Sequence, residues 1–485
     1  MAAALVTAAA AIGWLVFDRP SVPEPSGQLL TETAGLDEIA ITVRLNAEKA
    51  SLSVNQTLRL TNRTGEKQDA VVLRTWANAF QSMDTSPCAA EDKLYELYYP
   101  DGFSSGGLVM SHATVDGSTV LYRYTDEAKT VLHVPVPGGW QPDAETEIML
   151  TYTIQMPRMA YRFGLWDDIW ALGNAFAVPA VWENGAFRTD AYASVGDPFV
   201  NDCANYLVTA IVPEDYVCAG SASPYVSTSD GQSHYVFYAN GVREFGLVIS
   251  DRFHTAQTMQ DGVLVTAFAA SRSQARELLR YGRRALKCYS EAYGAYAYPS
   301  YTLAQVNFPH GGMEYPGMSM IASSLLEEGG RELEYTVAHE TAHQWWYAVV
   351  GSDSWNQPWQ DEALCEFSLL RYAQENYGQA ERDDLERSRM ESSLRVTVPH
   401  GVTPGAPLNY FSSMSEYKLL VYDRAAACLC AMDRTVPLDG FLRDYYRHYA
   451  FRRASREDFE QQLLQSTGED LSPLMRDYLD TYILN

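Results

Sequence analysis

The chain has 485 residues, 47% hydrophobic and 20% charged, which suits a folded protein with more than one hydrophobic core. Asp and Glu total 61 against 36 Lys and Arg, a formal net charge of -25, and so acidic a balance excludes a nucleic-acid partner, which needs a basic footprint. The seven cysteines form no Cys-x-x-Cys pair and are odd in number, so at least one thiol is unpaired, and a chain of this length needs no disulfide framework to fold.

In chain order, "MAAALVTAAAAIGWLVF" is apolar from Met1 to Phe17 and then breaks at the Pro-rich "DRPSVPEPSG". A helix over it would be roughly 25 Å long at about 1.5 Å per residue, and no basic residue precedes it. The expectation is a signal or membrane-anchor segment over 1–17 and a tether over 18–36. The remainder then lies outside the cytoplasm, with the membrane as a partner if the segment is retained. From 37 to 250 the pattern predicts strands. "ITVRLNAEKASLSVNQTLRLTN" alternates apolar and polar residues, and "TVLHVPVPGGW", "EIMLTYTIQM", "NYLVTAIVP" and "EFGLVIS" continue between Gly, Pro and Asp turns. Such spacing predicts an N-terminal antiparallel β-sandwich or saddle domain. The character changes after residue 251. "SRSQARELLRYGRRALKCYSEAYG" carries an apolar stripe at helical spacing, "TLAQVNF" reads as a strand, and helical spacing dominates from Arg331 to the end at 485. The fold class is therefore multidomain α and β, a sheet domain followed by a mainly helical one.

The chemistry gathers in "AHETAHQWWYAVVGSDSWNQPWQDEAL". On a helix expected over Arg331–Val350, His339 and His343 stand four apart and share one face, a spacing that lets two imidazoles hold one zinc ion. Glu340, beside the first of them, is placed to act on a water. A catalytic zinc takes a third protein ligand. Glu362, on the helix expected after Pro358, supplies a carboxylate if that helix packs back against the first. Glu366, one turn further on, either orients a histidine or is ordinary helix surface.

This segment resembles the gluzincin zinc metallopeptidases of the aminopeptidase N type, peptidase family M1, a group that includes leukotriene hydrolase. The family pattern is His-Glu-x-x-His, eighteen residues, then Glu, in a Trp-rich context. "HETAHQWW" and "PWQDEALCEF" follow it, with Ala363 where the family has Gly. Upstream, "GGMEY" resembles the family's Gly-x-Met-Glu-Asn segment, aligning Gly311, Gly312, Met313 and Glu314, with Tyr315 in place of Asn. Downstream, "VYDRAAA" resembles its Tyr-x-Lys-Gly-Ala start, with Arg424 for Lys and Ala425 for Gly. The resemblance covers about residues 40 to 460.

What the resemblance implies is a thermolysin-like catalytic domain over 251–485 with one zinc ion on His339, His343 and Glu362. Glu340 is then the general base, and Tyr422 the hydrogen-bond donor to the oxyanion, with Tyr417 and Tyr410 as fallbacks. Gly311, Gly312, Met313 and Glu314 form the substrate segment, Glu314 gripping a free α-amino group. The implied activity is removal of N-terminal amino acids from peptides with a free amine. A zinc endopeptidase or other metallohydrolase on the same fold is the alternative, followed by a non-catalytic, surface-anchored peptide-binding protein.

Overall fold

A computed structural model describes residues 33, 35–89, 95–398 and 401–481. The expected anchor over 1–17, and the tether up to residue 32, lie outside the described residues. Among those described, no helix is long and apolar enough to cross a membrane.

The N-terminal domain is β-rich. Its main sheet has eight strands in the order Pro224–Ser229, Gln232–Val242, Ala204–Pro213, Asp37–Asn46, Ser51–Thr61, Glu145–Gln155, Gly107–Val115 and Ser118–Thr119. The alternation in the sequence becomes a face here: Ile39, Ile41, Val43 and Leu45 are buried, while Glu38, Thr42, Arg44 and Asn46 point to solvent. Two four-stranded sheets pack with it, one built on Gln68–Arg74 and Val131–Trp140, the other on Leu247–Ser250 and Ile169–Leu172. The main sheet is not wholly antiparallel as expected, because Asp37–Asn46 runs parallel to Ala204–Pro213. A parallel pair needs a long crossover, and the chain between these strands forms most of the other sheets on the way.

The helical domain is led by a five-stranded sheet in the order His254–Gln260, Val263–Ala269, Ser300–Val306, Met318–Ala322 and Gly312–Tyr315. The helix Arg272–Tyr293 starts at Ser271, whose side chain accepts from Gln274 N, and of the stripe read from the sequence it buries Leu278, Gly282, Ala285, Leu286, Tyr289 and Tyr293, with Leu279 only partly buried. It packs on the helix Gly330–Ala342, which packs in turn on Trp359–Tyr377. The crowd of tryptophans is structural. Trp345, Trp346 and Trp359 are fully buried, and their indole N–H groups donate to Gly294 O, Ser368 Oγ and Gln357 Oε1 at 3.1, 3.0 and 2.7 Å.

Arg243 joins the two domains. From the N-terminal side its guanidinium donates to the carbonyls of Tyr347 (2.7 Å), Asn201 (2.9 Å), Val349 (3.2 Å) and Arg452 (2.7 Å), bracing the loop that follows His343. Gly351 is glycine for this reason: a Cβ there would collide with the guanidinium. All seven cysteines are buried.

Candidate metal centre

The first histidine helix is Gly330–Ala342. Gly329 (φ 66°) separates it from the preceding short helix Ser323–Glu328, and its own first residue, Gly330 (φ 78°), also takes a positive φ. The sequence predicts a helix to Val350, but it ends at Ala342, with His343 still in helical φ/ψ as its C-cap. Beyond that point the chain turns, and Tyr347 takes φ 134°. The break follows from the tryptophans, which have to reach different neighbours, Gly294 and Ser368. It also frees the Trp346 carbonyl, which would otherwise accept from Val350 N, to take the Nδ1–H of His343 at 3.1 Å. That bond leaves the Nε2 lone pair of His343 facing the site.

Glu362 lies in the first turn of Trp359–Tyr377. Three donor atoms converge: His339 Nε2 is 3.2 Å from His343 Nε2 and 3.3 Å from Glu362 Oε2, and His343 Nε2 is 3.4 Å from the same oxygen. All three residues are buried. Two imidazole lone pairs and a carboxylate oxygen this close repel one another unless positive charge stands between them. Burial alone would lower the pKa of His339, yet the carboxylates of Glu362 and Glu366 raise it to about 9. Burial alone would raise Glu362, yet the two histidines hold it down at about 2. The set is thus built for a cation, and two imidazoles with one carboxylate suit zinc.

The other expected residues surround this triad. Tyr422 donates to Glu362 Oε1 at 2.6 Å, and its ring stacks on His339 at 5.5 Å and 11°. It sits in a π-helical stretch, Lys418–Arg424, of the kind that often marks functional sites. Of the fallbacks, Tyr410 is 62% exposed, whereas Tyr417 is buried and packs edge-on against Tyr422 at 5.7 Å. Glu340 is buried with Oε2 unpartnered among the described residues, and burial pushes its carboxyl up to about 7.

Glu314 lies on the edge strand Gly312–Tyr315, opposite Ser319, and its carboxylate, the carboxylate of Glu340 and a ring nitrogen of His343 all lie within 4.8 Å of one another. Gln344 fixes this strand to the histidine segment, its side chain donating to Tyr315 O at 3.0 Å and accepting from Gly317 N at 2.8 Å. Gly311 takes φ 63° and its carbonyl accepts from Ala322 N at 2.8 Å; Met313 is buried beside Glu314. Gly312 covers Glu340, and a Cβ there would stand 2.5 Å from Glu340 Cγ and 2.6 Å from Cδ. Gly312→Ala therefore displaces the Glu340 carboxylate and is expected to cut activity at least tenfold with little change in zinc affinity, measured by paired turnover and metal-competition titrations.

The departures from the family pattern are accommodated. Tyr315 fits because Gly173 and Gly246 leave room for its hydroxyl and ring, and its hydroxyl donates to Asn174 Oδ1 at 3.1 Å. Arg424 donates to Ser393 O at 2.9 Å, bracing the π-helical turn, and Ala363 is buried. Several nearby groups carry no readable motif. Asn174, Tyr347 and Glu244 form one hydrogen-bonded group, Arg162 pairs with Asp197, and with Asp361 and Glu314 these line a small cavity. They come from distant strands and loops, so no local spacing betrays them. Gln344 was detectable in principle, since "HQW" sets a polar residue among buried ones.

Residues 279–478 match the peptidase family M1 domain. Among curated proteins, the aminopeptidase N of Lactobacillus helveticus is 26% identical over 260 residues, covering 48% of this chain and 30% of the relative. A leucine aminopeptidase 2-1 of Meyerozyma guilliermondii is 34% identical over 185 residues, covering 35% and 28%. The leukotriene A-4 hydrolase of Xenopus laevis is 24% identical over 189 residues, covering 36% and 30%. The chain thus spans about a third of the length of these relatives. Among solved structures, an M1 zinc metallopeptidase from Deinococcus radiodurans superposes with a TM-score of 0.64 at 16% identity, covering 91% of this chain and 93% of that one. A mutant of that enzyme bound to a Tyr-Ser-Ala substrate gives 0.65 at 17% identity, also covering 91% and 93%. At such identity the likeness concerns the fold, a β-rich domain followed by a helical one. With the matched domain, the shared fold and a donor set fitted to one zinc ion, residues 279–478 carry a peptidase family M1 domain, within a chain that has the fold of the M1 zinc metallopeptidases.

Proposed function

We propose that this protein is a zinc-dependent aminopeptidase, removing single residues from the amino end of peptides. The observation that carries the reading is Glu314. It is 7% exposed, has no hydrogen-bonded side-chain partner among the described residues, and is held against Glu340 and His343. Burial together with the neighbouring acids pushes its carboxyl well above the usual range. A carboxylate in such a position is costly unless a cation meets it, and a substrate ammonium does so through a charge-assisted hydrogen bond.

His339, His343 and Glu362 would hold the zinc ion, which supplies Lewis acidity, polarising the scissile carbonyl and making a water acidic enough to ionise near neutral pH. Glu340 takes a proton from the attacking water through its unpartnered Oε2 and delivers it to the leaving amine as the C–N bond breaks. The new C–O bond pushes the carbonyl electrons onto its oxygen. Tyr422 donates to that oxyanion from its place beside Glu362, charge that exists only in the transition state. Glu314 fixes the amino terminus and hence the bond cut.

The test is product analysis on a defined unblocked peptide, followed by mass spectrometry. Loss of one residue at a time from the amino end is expected; internal fragments would replace this reading with an endopeptidase. Glu314→Ala is expected to raise KM for free-amine substrates at least tenfold, and unchanged kinetics would remove Glu314 from its role.

A further inference from the structure

Behind the three metal-facing donors, on the far side of His339, the structure holds a line of charges that the proposed chemistry leaves unused. Glu366 Oε1 stands 3.1 Å from His339 Nδ1, off the line of a straight hydrogen bond, and no better partner reaches that nitrogen among the described residues. Glu366 is buried, and Arg389 reaches its other oxygen, Nη1 to Oε2 at 3.2 Å. The second nitrogen of Arg389 lies 3.8 Å from Glu332 Oε2, on the same helix as His339. The charges therefore close a loop through three elements: the His339 helix, the Trp359–Tyr377 helix and the π-helical segment Arg387–Glu391 that presents Arg389.

We propose that Glu366 and Arg389 are positioning residues for His339, a paired acid and base that fix its ring and keep its Nε2 free for the metal. The inference rests on the reading of His339 as a zinc ligand. An imidazole that gives its Nδ1 proton to a carboxylate keeps its Nε2 lone pair for the metal and becomes a stronger donor. Glu366 cannot serve as a ligand from this position, since it faces the nitrogen that points away from His343 and Glu362. Arg389 does two things for it. It supplies the positive charge that a buried carboxylate requires, and it holds the carboxylate against turning toward the cation. His343 has a backbone carbonyl in the same role, so the two histidines are fixed by different means. The difference matters, because a side-chain pair can be removed by mutation whereas the carbonyl cannot.

The experiment compares the full-length wild type with Glu366→Gln, Arg389→Gln, Arg389→Lys and His339→Ala. Each protein is stripped of metal, checked for folding by circular dichroism and thermal unfolding, and titrated with zinc against a chromophoric chelator. Cobalt(II) absorption then reports ligand geometry. Glu366→Gln and Arg389→Gln are expected to weaken zinc about 10- to 100-fold, as loss of a histidine's hydrogen-bond partner does elsewhere, and to alter the cobalt spectrum at unchanged metal-free stability. Arg389→Lys, which keeps the charge, is expected to recover part of the loss. Since Arg389 is partly exposed, its variants keep the test decisive if Glu366→Gln does not fold. Unchanged zinc affinity and cobalt spectrum in Arg389→Gln, with His339→Ala losing zinc, would overturn the inference and leave the metal assignment standing. Unchanged zinc affinity in His339→Ala would overturn both.

Discussion

Glu340→Gln is expected to lower turnover by about 100-fold or more while the protein keeps its zinc. The argument is one of shape and charge. Gln has the size of Glu, so the carboxamide fits under Gly312 without displacing that glycine, and His339 and His343 on either side are untouched. What is lost is the basic oxygen. Glu340 Oε2 has no partner among the described residues, and a carboxamide there can accept a hydrogen bond but cannot carry a proton from the water to the leaving amine. The measurement is turnover on an aminoacyl amide, with zinc content determined on the same preparation. Full activity would remove Glu340 from the mechanism, and loss of zinc would mean that the substitution had damaged the site.

The second large effect is on the metal. His343→Ala is expected to weaken zinc by more than about 100-fold, beyond what loss of a hydrogen-bond partner alone costs. Two donors would remain, and the Trp346 carbonyl, 3.1 Å from His343 Nδ1, would lose its imidazole partner as well. The consequence reaches stability, because a ligand that binds the folded state stabilises it in proportion to the logarithm of its concentration over Kd. Wild type is expected to show a Tm that rises with added zinc and falls with a chelator. The variant is expected to melt at one temperature whatever the zinc concentration in that range. A zinc-dependent Tm in His343→Ala would show that the ion binds elsewhere.

The sequence was legible where function and periodicity coincide. The helical spacing of His339 and His343 and the strand alternation at Ile39, Ile41 and Val43 are local patterns, and each describes one face of one element. The end of the histidine helix at Ala342 was not legible. A helical pattern through "HQWWYAVV" says nothing of where Trp345 and Trp346 find hydrogen-bond partners, and those partners lie 51 and 22 residues away in the chain. The parallel pairing of Asp37–Asn46 with Ala204–Pro213 is hidden for the same reason, since register across so long a connection leaves no trace in either strand. Arg389 is the sharpest case. Nothing in "ERSRMESS" sets its arginine apart, and its role exists only because three elements meet at Glu366. Tyr422, Tyr417 and Tyr410 were indistinguishable as letters among 32 tyrosines, and burial and contact separate them.

The central claim is metal-dependent hydrolysis directed by a free amine, and a paired assay tests it most directly. Aminoacyl fluorogenic amides are run beside the same compounds acetylated at the amine, each with a chelator and again after zinc is restored. The account predicts cleavage of the free-amine compounds alone, abolished by chelation and recovered with zinc. Equal cleavage of the acetylated compounds, or cleavage that survives the chelator, would contradict it.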